Sequence, residues 1–568
     1  MPEILDAPEM IKRCAKLKAN WSTRDKKIKG WYDILRLKDA LAQEGMESVV
    51  SNDPKTGYNL GKHLMTSSIV SHKIDSDGLP PSQIASVAYL ETFLQKVWNK
   101  EEERYRRAGR QRFTAKLVSL MLATGWYSVF AMVTKERIWA DVWNPIEVYP
   151  DFGSSGLNEV AHIYGLTPGE ANRKILLQGW TVKNKITQNT TLYDHWGFDD
   201  TGKPVNSIIL GQEYVKPPEV DKAINNIMQK TGESLLPVFV SPTGGLPDDG
   251  AIATGKQWQE NFGESIVATN EQMTVTYNKM LSFIQQSARS AAQHRWFDRT
   301  TSDTAILTEE NIDKWGAIFH LGPNDEIGAV QPPAIPVELR TAMYEYSNMI
   351  QRGSFPWVLH GNLQQQLSYL AMANVASSAL QQLTPYVEGL EGVLSDVDNF
   401  WINMMAEGGF RPMGFEMPDE ESLPLDYSFK VNSEIQIPGY LVQRATIARM
   451  LNPNFRLPQS WIMGRMFPEI QNTTAVQAQT RSEDAMMDPR AIKVDAIIAY
   501  KEHAVVMRKE GNAEAAQLYE KLAASLESEI APGGQQLPPG GAGGGLPNIA
   551  NEVMPGGANE PTTGLGEM

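Results

Sequence analysis

Along residues 254–352 the apolar positions take up a helical period, lose it, and then resume it. Thr254-Gly255-Lys256-Gln257 has the form of a capping box, with Thr254 at the N-cap and Gln257 three residues on. From there Trp258, Phe262, Ile266, Met273, Tyr277, Met280 and Ile284 recur at threes and fours or at sevens, which is one face of a helix. The pattern predicts a helix over 256–294, ~55–60 Å long at about 1.5 Å per residue. Between Glu271 and Arg289 its only charge is Lys279. A solvated helix carries mixed charges on its outer face, so this one is expected to meet protein on several sides, neighbouring copies of the chain included. A compact mixed stretch follows over 295–335, and a second helix over 336–352 returns.

The rest of the chain changes period several times. Residues 8–45 predict helix and carry a basic cluster of Lys12, Arg13, Lys16, Lys18, Arg24, Lys26, Lys27 and Lys29. A solvated helix face is the simpler reading of that cluster, and a nucleic-acid or partner patch the sharper one. Ser82 to about Leu122 reads as helix. Trp126–Val133 and Ile138–Trp143 are β-rich runs joined by four polar residues, the form of a hairpin. Further strands are expected at Glu159–Tyr164, Leu192–Trp196, Ile208–Val215 and Leu236–Val240, with a short helix over 168–180. From Gly353 to Val387 there is no Asp, Glu, Lys or Arg, in a chain that is 21% charged. Its first part reads as a loop, and Leu367 to about Leu383 as a helix of small residues able to pack closely. Residues 425–437 alternate as a strand. Ile492–Lys509 and Ala513–Ile530 form a helical hairpin with Gly511 between them, and from Ala531 a Gly- and Pro-rich tail is expected to be disordered. The expected class is a helix-rich α+β chain.

Composition narrows the function. A hydrophobic content of 42% is that of a folded protein, and no apolar run reaches the eighteen or so residues a membrane span needs. The first residues lack the basic and apolar regions of a signal peptide, and the single cysteine, Cys14, leaves no disulfide framework, so a chain kept in a reducing cytosol is expected. A net charge of −15 argues against gripping nucleic acid over the whole surface, though not against a surface past which DNA slides. Gly250 to Gln257 has the glycine and lysine spacing of a phosphate-binding loop. Gln257 stands where a magnesium-binding hydroxyl is needed, and no strand feeds directly into the loop. Helix capping explains the same residues. The eight histidines show no metal-ligand spacing and no nucleophile elbow is present, so neither catalysis nor a cofactor is expected.

Taken in order, these segments resemble the portal protein of tailed double-stranded DNA bacteriophages. The resemblance covers roughly residues 50–505. It is carried by Met121-Leu-Ala-Thr-Gly-Trp-Tyr-Ser-Val-Phe followed by Val142-Trp-Asn-Pro-Ile-Glu-Val-Tyr-Pro-Asp, and by Leu321-Gly-Pro-Asn-Asp-Glu-Ile followed by Pro332-Pro-Ala-Ile-Pro. It implies a wing over 1–255 and 369–437, stem helices over 256–294 and 336–352, a clip over 295–335, a channel loop over 353–368 and a crown over 438–530. Such subunits close into a ring of twelve at one capsid vertex of the virion, assembled in the host cytoplasm. Through that ring DNA enters at packaging and leaves at ejection. The implied partners are the terminase large subunit, the head-to-tail adaptor, the major capsid and scaffolding proteins, and double-stranded DNA without sequence specificity; no membrane is implied. Arg352, His360, Asn362, Gln364, Gln365 and Gln366 would line the channel, where a lack of phosphate clamps would favour sliding. Glu309, Glu310, Asp313, Lys314 and Trp315 would meet the terminase or adaptor, and the apolar face from Trp258 to Ile284 would pack the stem. Another virion scaffold is the alternative reading, and a P-loop NTPase the third.

Overall fold

The structure is a computed structural model. It describes residues 5–39, 48–74, 79–153, 156–232, 234–245, 263–292, 295–301, 305–308, 318–330, 336–355, 380–419, 422–424, 427–435, 488–509 and 511–530, with scattered positions between 445 and 482. The chain is a helix-rich α+β protein in two compact units, Met1–Thr474 and Ala475–Met568.

The first unit opens with helices α1 (Ala7–Asn20) and α2 (Ser22–Leu35). Asp6 caps α1 by accepting the Glu9 amide at 2.8 Å. The helical pattern read over 8–45 is thus two helices, and it ends where Leu37 takes a left-handed φ of 55°. α3 (Asp53–Thr66) leads to strand β1 (Ile69–Ile74). The helix read over 82–122 is also two, α4 (Pro81–Arg107) and α5 (Phe113–Thr124). They part at Gly109, whose φ of 67° a continuing helix does not allow.

Strands β2 (Trp126–Val133) and β3 (Ile138–Val142) form the expected hairpin, with Val133 opposite Ile138. Then come β4 (Val148–Gly153), β5 (Gly156–Leu166), α6 (Pro168–Gln178), β6 (Thr190–Phe198), β7 (Pro204–Leu210), β8 (Glu213–Val220), α7 (Lys222–Thr231) and β9 (Val238–Pro242). Ile208–Val215, read as one strand, is the end of β7 and the start of β8, reversed at Gly211 with φ 68°. β4 to β8 make a five-stranded antiparallel meander, while β9 joins β2 in the order β3-β2-β9. Farther on are α8 (Glu271–Ala292), β10 (Arg295–Arg299), β11 (Glu326–Val330), α9 (Val337–Arg352), α10 (Thr384–Gly408) and β12 (Phe429–Glu434). β12 returns to pair antiparallel with β1, Ile69 opposite Glu434.

The core of this unit lies around α10. Its sequence is apolar on nearly every face, which is the mark of a helix surrounded by protein. Leu390, Val393, Val397, Trp401, Met404 and Met405 are each fully buried. Trp401 meets Trp98 of α4 at 4.7 Å between centroids, and Trp98 meets Phe113 of α5 at 5.0 Å. Such rings contribute about 1.5–3 kcal/mol each by burial.

The basic cluster of the first helices is only partly a solvated face. Arg24 is 1% exposed. Its guanidinium lies over Trp21, Trp126 and Tyr149 at 4.6, 5.5 and 5.7 Å, and donates to Asp25 and to the Val148 carbonyl. Arg13 reaches Glu159 of β5 at 2.6 Å, and His195 of β6 shares that carboxylate at 2.9 Å. Burial pushes Glu159 up, but the hydrogen bonds from His195 and Arg13 outweigh it and hold the carboxyl below its usual range. Two cations of the cluster therefore fasten α1 and α2 to the sheet.

The second unit holds α11 (Pro489–Lys509) and α12 (Ala513–Ile530), reversed at Gly511 with φ 82°.

Candidate functional site: a two-helix excursion from the body

Between Gly263 and Phe355 the chain leaves the body along α8, turns through the β10–β11 ribbon, and returns along α9, which packs against α8. Its departure is tightly held. The Glu264 amide donates to Thr243 O at 3.2 Å and the Ile266 amide to Leu122 O at 3.0 Å, while Tyr386 donates to Glu264 O at 2.8 Å. This crossing needs glycine on both sides. Gly125 has φ 70° and a side chain there would lie 2.4 Å from the Glu264 amide; Gly263 has φ 95° and is pressed on the Gly125 carbonyl.

These contacts correct the extent of the first helix. Residues 263–267 are bound to the body as non-helical chain, 268–270 make one 3-10 turn, and the α-helix begins at Glu271 and ends at Ala292. A helix running from Lys256 through 263–267 is incompatible with the positive φ of Gly263. Ile266 accordingly belongs to the body, packed against both of its apolar clusters, and not to the helix face assigned to it. Met273, Tyr277, Met280 and Ile284 do lie on α8 and are half-buried. Trp258, Phe262, the capping box at Thr254 and the loop from Gly250 lie outside the described residues.

The two helices share one foot. Asn270 donates its side-chain amide to Ile350 O at 2.9 Å, and a side chain at Gly353 would lie 2.2 Å from Asn270 Oδ1. Trp31 of α2 donates to Glu271 at 3.0 Å, so the first residue of α8 is held by the N-terminal helices. Residues 49–51 run beside α8, the Val49 amide donating to Ser282 Oγ at 3.0 Å and the Ser51 amide to Asn278 Oδ1 at 2.9 Å. A groove of about 310 Å³ opens between α2, this strap and α8. None of these anchors was found from the sequence. The one available signal was polarity, since Asn270 sits just before an otherwise low-charge helix and Asn278 and Ser282 sit within it.

The excursion keeps apolar side chains in solvent. Val275 and Phe283 on α8, and Val337, Tyr344 and Met349 on α9, are 42–73% exposed. On the ribbon Trp296, Phe297 and Val330 are 40–49% exposed. Phe297 stands opposite Gly328 and covers it. Beyond the ribbon, amides of Thr301 and Gly322 donate to Asp325 and hold its carboxyl below the usual range. Asp298 likewise accepts the Ile306 and Leu307 amides at 2.8 and 3.1 Å. The ribbon's connection is thus shaped by carboxylates capping backbone donors.

Arg352 is exposed at the end of α9, and its carbonyl accepts from Gln382 at 3.4 Å. His360, Asn362, Gln364, Gln365 and Gln366 lie outside the described residues, as do Glu309, Glu310, Asp313, Lys314 and Trp315. Among the described residues no group of three or more His, Cys, Asp or Glu side chains is placed to hold a metal ion, and no helix is long and apolar enough to cross a membrane. Cys14 is buried, and burial pushes its thiol up to about 12, so it is a packing residue.

No protein-family model matches the chain, and no curated protein matches it. Solved structures do. The neck of a native GTA particle, computed with C12 symmetry, is similar at 10% identity with a TM-score of 0.38, over 73% of this chain and 90% of that one. The neck of an empty GTA particle, computed with C6 symmetry, is similar at 11% identity with a TM-score of 0.40, over 76% and 93%.

Proposed function

We propose that this chain is a portal-type subunit, which assembles with copies of itself into a ring that conducts double-stranded DNA at a capsid vertex and carries out no chemistry of its own. The observation that supports the reading most is the excursion: two helices on one foot, the first of them low in charge, exposing apolar side chains along both. A monomer gains nothing from solvating Val275, Phe283, Val337 and Tyr344. Subunits ranged around an axis would bury them between neighbours, since head-to-tail contacts that close give rings. In this reading the ribbon and its connection, with Glu309 to Trp315, dock the terminase large subunit and then the head-to-tail adaptor. The uncharged segment after Arg352 lines the channel.

Negative-stain images of the purified protein test this directly. Rings, twelve-fold in the simplest case, are expected; monomers at every concentration would overturn the reading. Co-purification with the terminase large subunit separates a portal from another virion scaffold. Replacing Gln364–Gln366 by alanine is expected to alter DNA retention while rings still form. A measured ATPase activity abolished by Lys256→Ala would instead favour the P-loop alternative.

A further inference from the structure

The α11–α12 hairpin has a narrow seam and two apolar patches that it does not use. Ile497, Ala504, Ala516 and Ala523 are buried in the seam, and Tyr519 lies against Tyr500 and His503 at 6.0 and 5.7 Å. Lys501 pairs with Glu527, and Arg508 with Glu520 at 2.6 Å, closing one flank of the hairpin. On α11, Val494, Ile498 and Val505 are 43, 50 and 51% exposed. At about 100° per residue they fall within about 40° of one another, beyond Lys501 and Arg508 on the ion-paired flank. On α12, Leu518 and Leu522 are 63 and 48% exposed. They fall on the other side of the seam from Glu520 and Glu527, hence on the opposite flank.

Two different apolar patches on opposite flanks suit a head-to-tail contact, because a two-fold contact would cover only one of them. The flanking charges select a register. In an antiparallel docking of α11 of one copy on α12 of the next, placing Val505 level with Leu518 also sets Leu522 between Ile498 and Val505. The same register brings Glu502 level with Lys521 and Lys509 level with Glu514. All four charges are exposed, and none is in an ion pair among the described residues. One offset therefore sets Leu518 and Leu522 against Val505 and Ile498 and also forms both charge pairs.

We propose that the α11–α12 hairpin binds a second copy of this chain head to tail, Ile498 and Val505 of one copy seating on Leu518 and Leu522 of the next. The contact deepens the ring reading and rests on it only for closure of the chain of contacts. Cross-linking of the full-length protein tests it, because the only native cysteine is buried. Oxidation of the double variant Val505→Cys/Leu518→Cys is expected to give a ladder of covalent multimers, while each single variant stays monomeric. Glu502→Lys is expected to diminish the ladder in that background, and adding Lys521→Glu to restore it. Single variants that cross-link to dimers would overturn the head-to-tail geometry. Rings in micrographs without a ladder would overturn the hairpin contact alone and mean that another segment covers these faces. A ladder without rings would keep the contact and remove the portal-type reading; neither would remove both.

Discussion

Asp398 shows how much of this core depends on a single acceptor. It is fully buried on α10, takes the Trp98 indole N–H at 2.7 Å, and bonds Nδ1 of His72 on β1 at 2.5 Å. Asp398→Ala would leave two buried polar groups without their partner, at ~1–3 kcal/mol each, so urea unfolding should show a loss of about 2–6 kcal/mol. Glu91 sets a pH dependence. Burial pushes its carboxyl up to about 7, while the Ile74 amide, Lys73 and His72 oppose the shift. A folded-state value above the unfolded one means the folded protein holds the proton more tightly. The associated stability is present below about pH 4.5 and is lost as pH rises through about 7. Glu91→Gln should therefore flatten the fall in Tm across that window and raise Tm above it, as thermal scans at a series of pH values would show. At this scale the sequence was least legible. Arg24 looked like its basic neighbours on the helix, because the rings that cage it, Trp126 and Tyr149, lie more than a hundred residues away.

Elements were legible where one period persisted and illegible where a distant contact decided a boundary. The β2–β3 hairpin could be read from its apolar runs and the polar turn between them, and the α11–α12 hairpin from helical spacing and Gly511. The pairing of β1 with β12 could not, since its strands are separated by most of the unit. The start of α8 was misplaced for the same reason: Ile266 keeps the helical spacing by coincidence, while the Leu122 carbonyl holds the Ile266 amide and the Thr243 carbonyl that of Glu264 in non-helical chain. The glycine that permits this crossing gives a sharp test. Gly125→Ala places a methyl 2.4 Å from a backbone amide at a positive φ, and is expected to cost more than ~2 kcal/mol in denaturant unfolding. Substitution at Gly169, where nothing lies within 4 Å, should be nearly neutral and is the control.

For the whole molecule the question is what covers the exposed apolar surface. If the excursion packs against neighbours, Val275→Asp and Tyr344→Asp should lower the assembled mass in light scattering and leave the unfolding free energy of the unassembled subunit within about 0.5 kcal/mol, as expected for exposed positions. Loss of monomer stability with assembly intact would place these side chains inside the subunit instead. The order of segments, and the low charge of 353–387, were visible from the start because composition registers them without any three-dimensional information. The foot at Asn270 was not, because a single amide reaching a carbonyl 80 residues on leaves no mark in composition or period.

That foot makes the excursion an insertion. The chain leaves the body at Asn270 and is back within one hydrogen bond of it at Ile350. The entropy of closing a loop grows only with the logarithm of its length, so replacing the intervening residues by about eight Gly and Ser lowers the closure cost by ~2 kcal/mol. The shortened chain is expected to keep the far-ultraviolet dichroism of the body and its cooperative unfolding. The body is therefore a platform that accepts excursions of different length, provided both ends still meet at the asparagine.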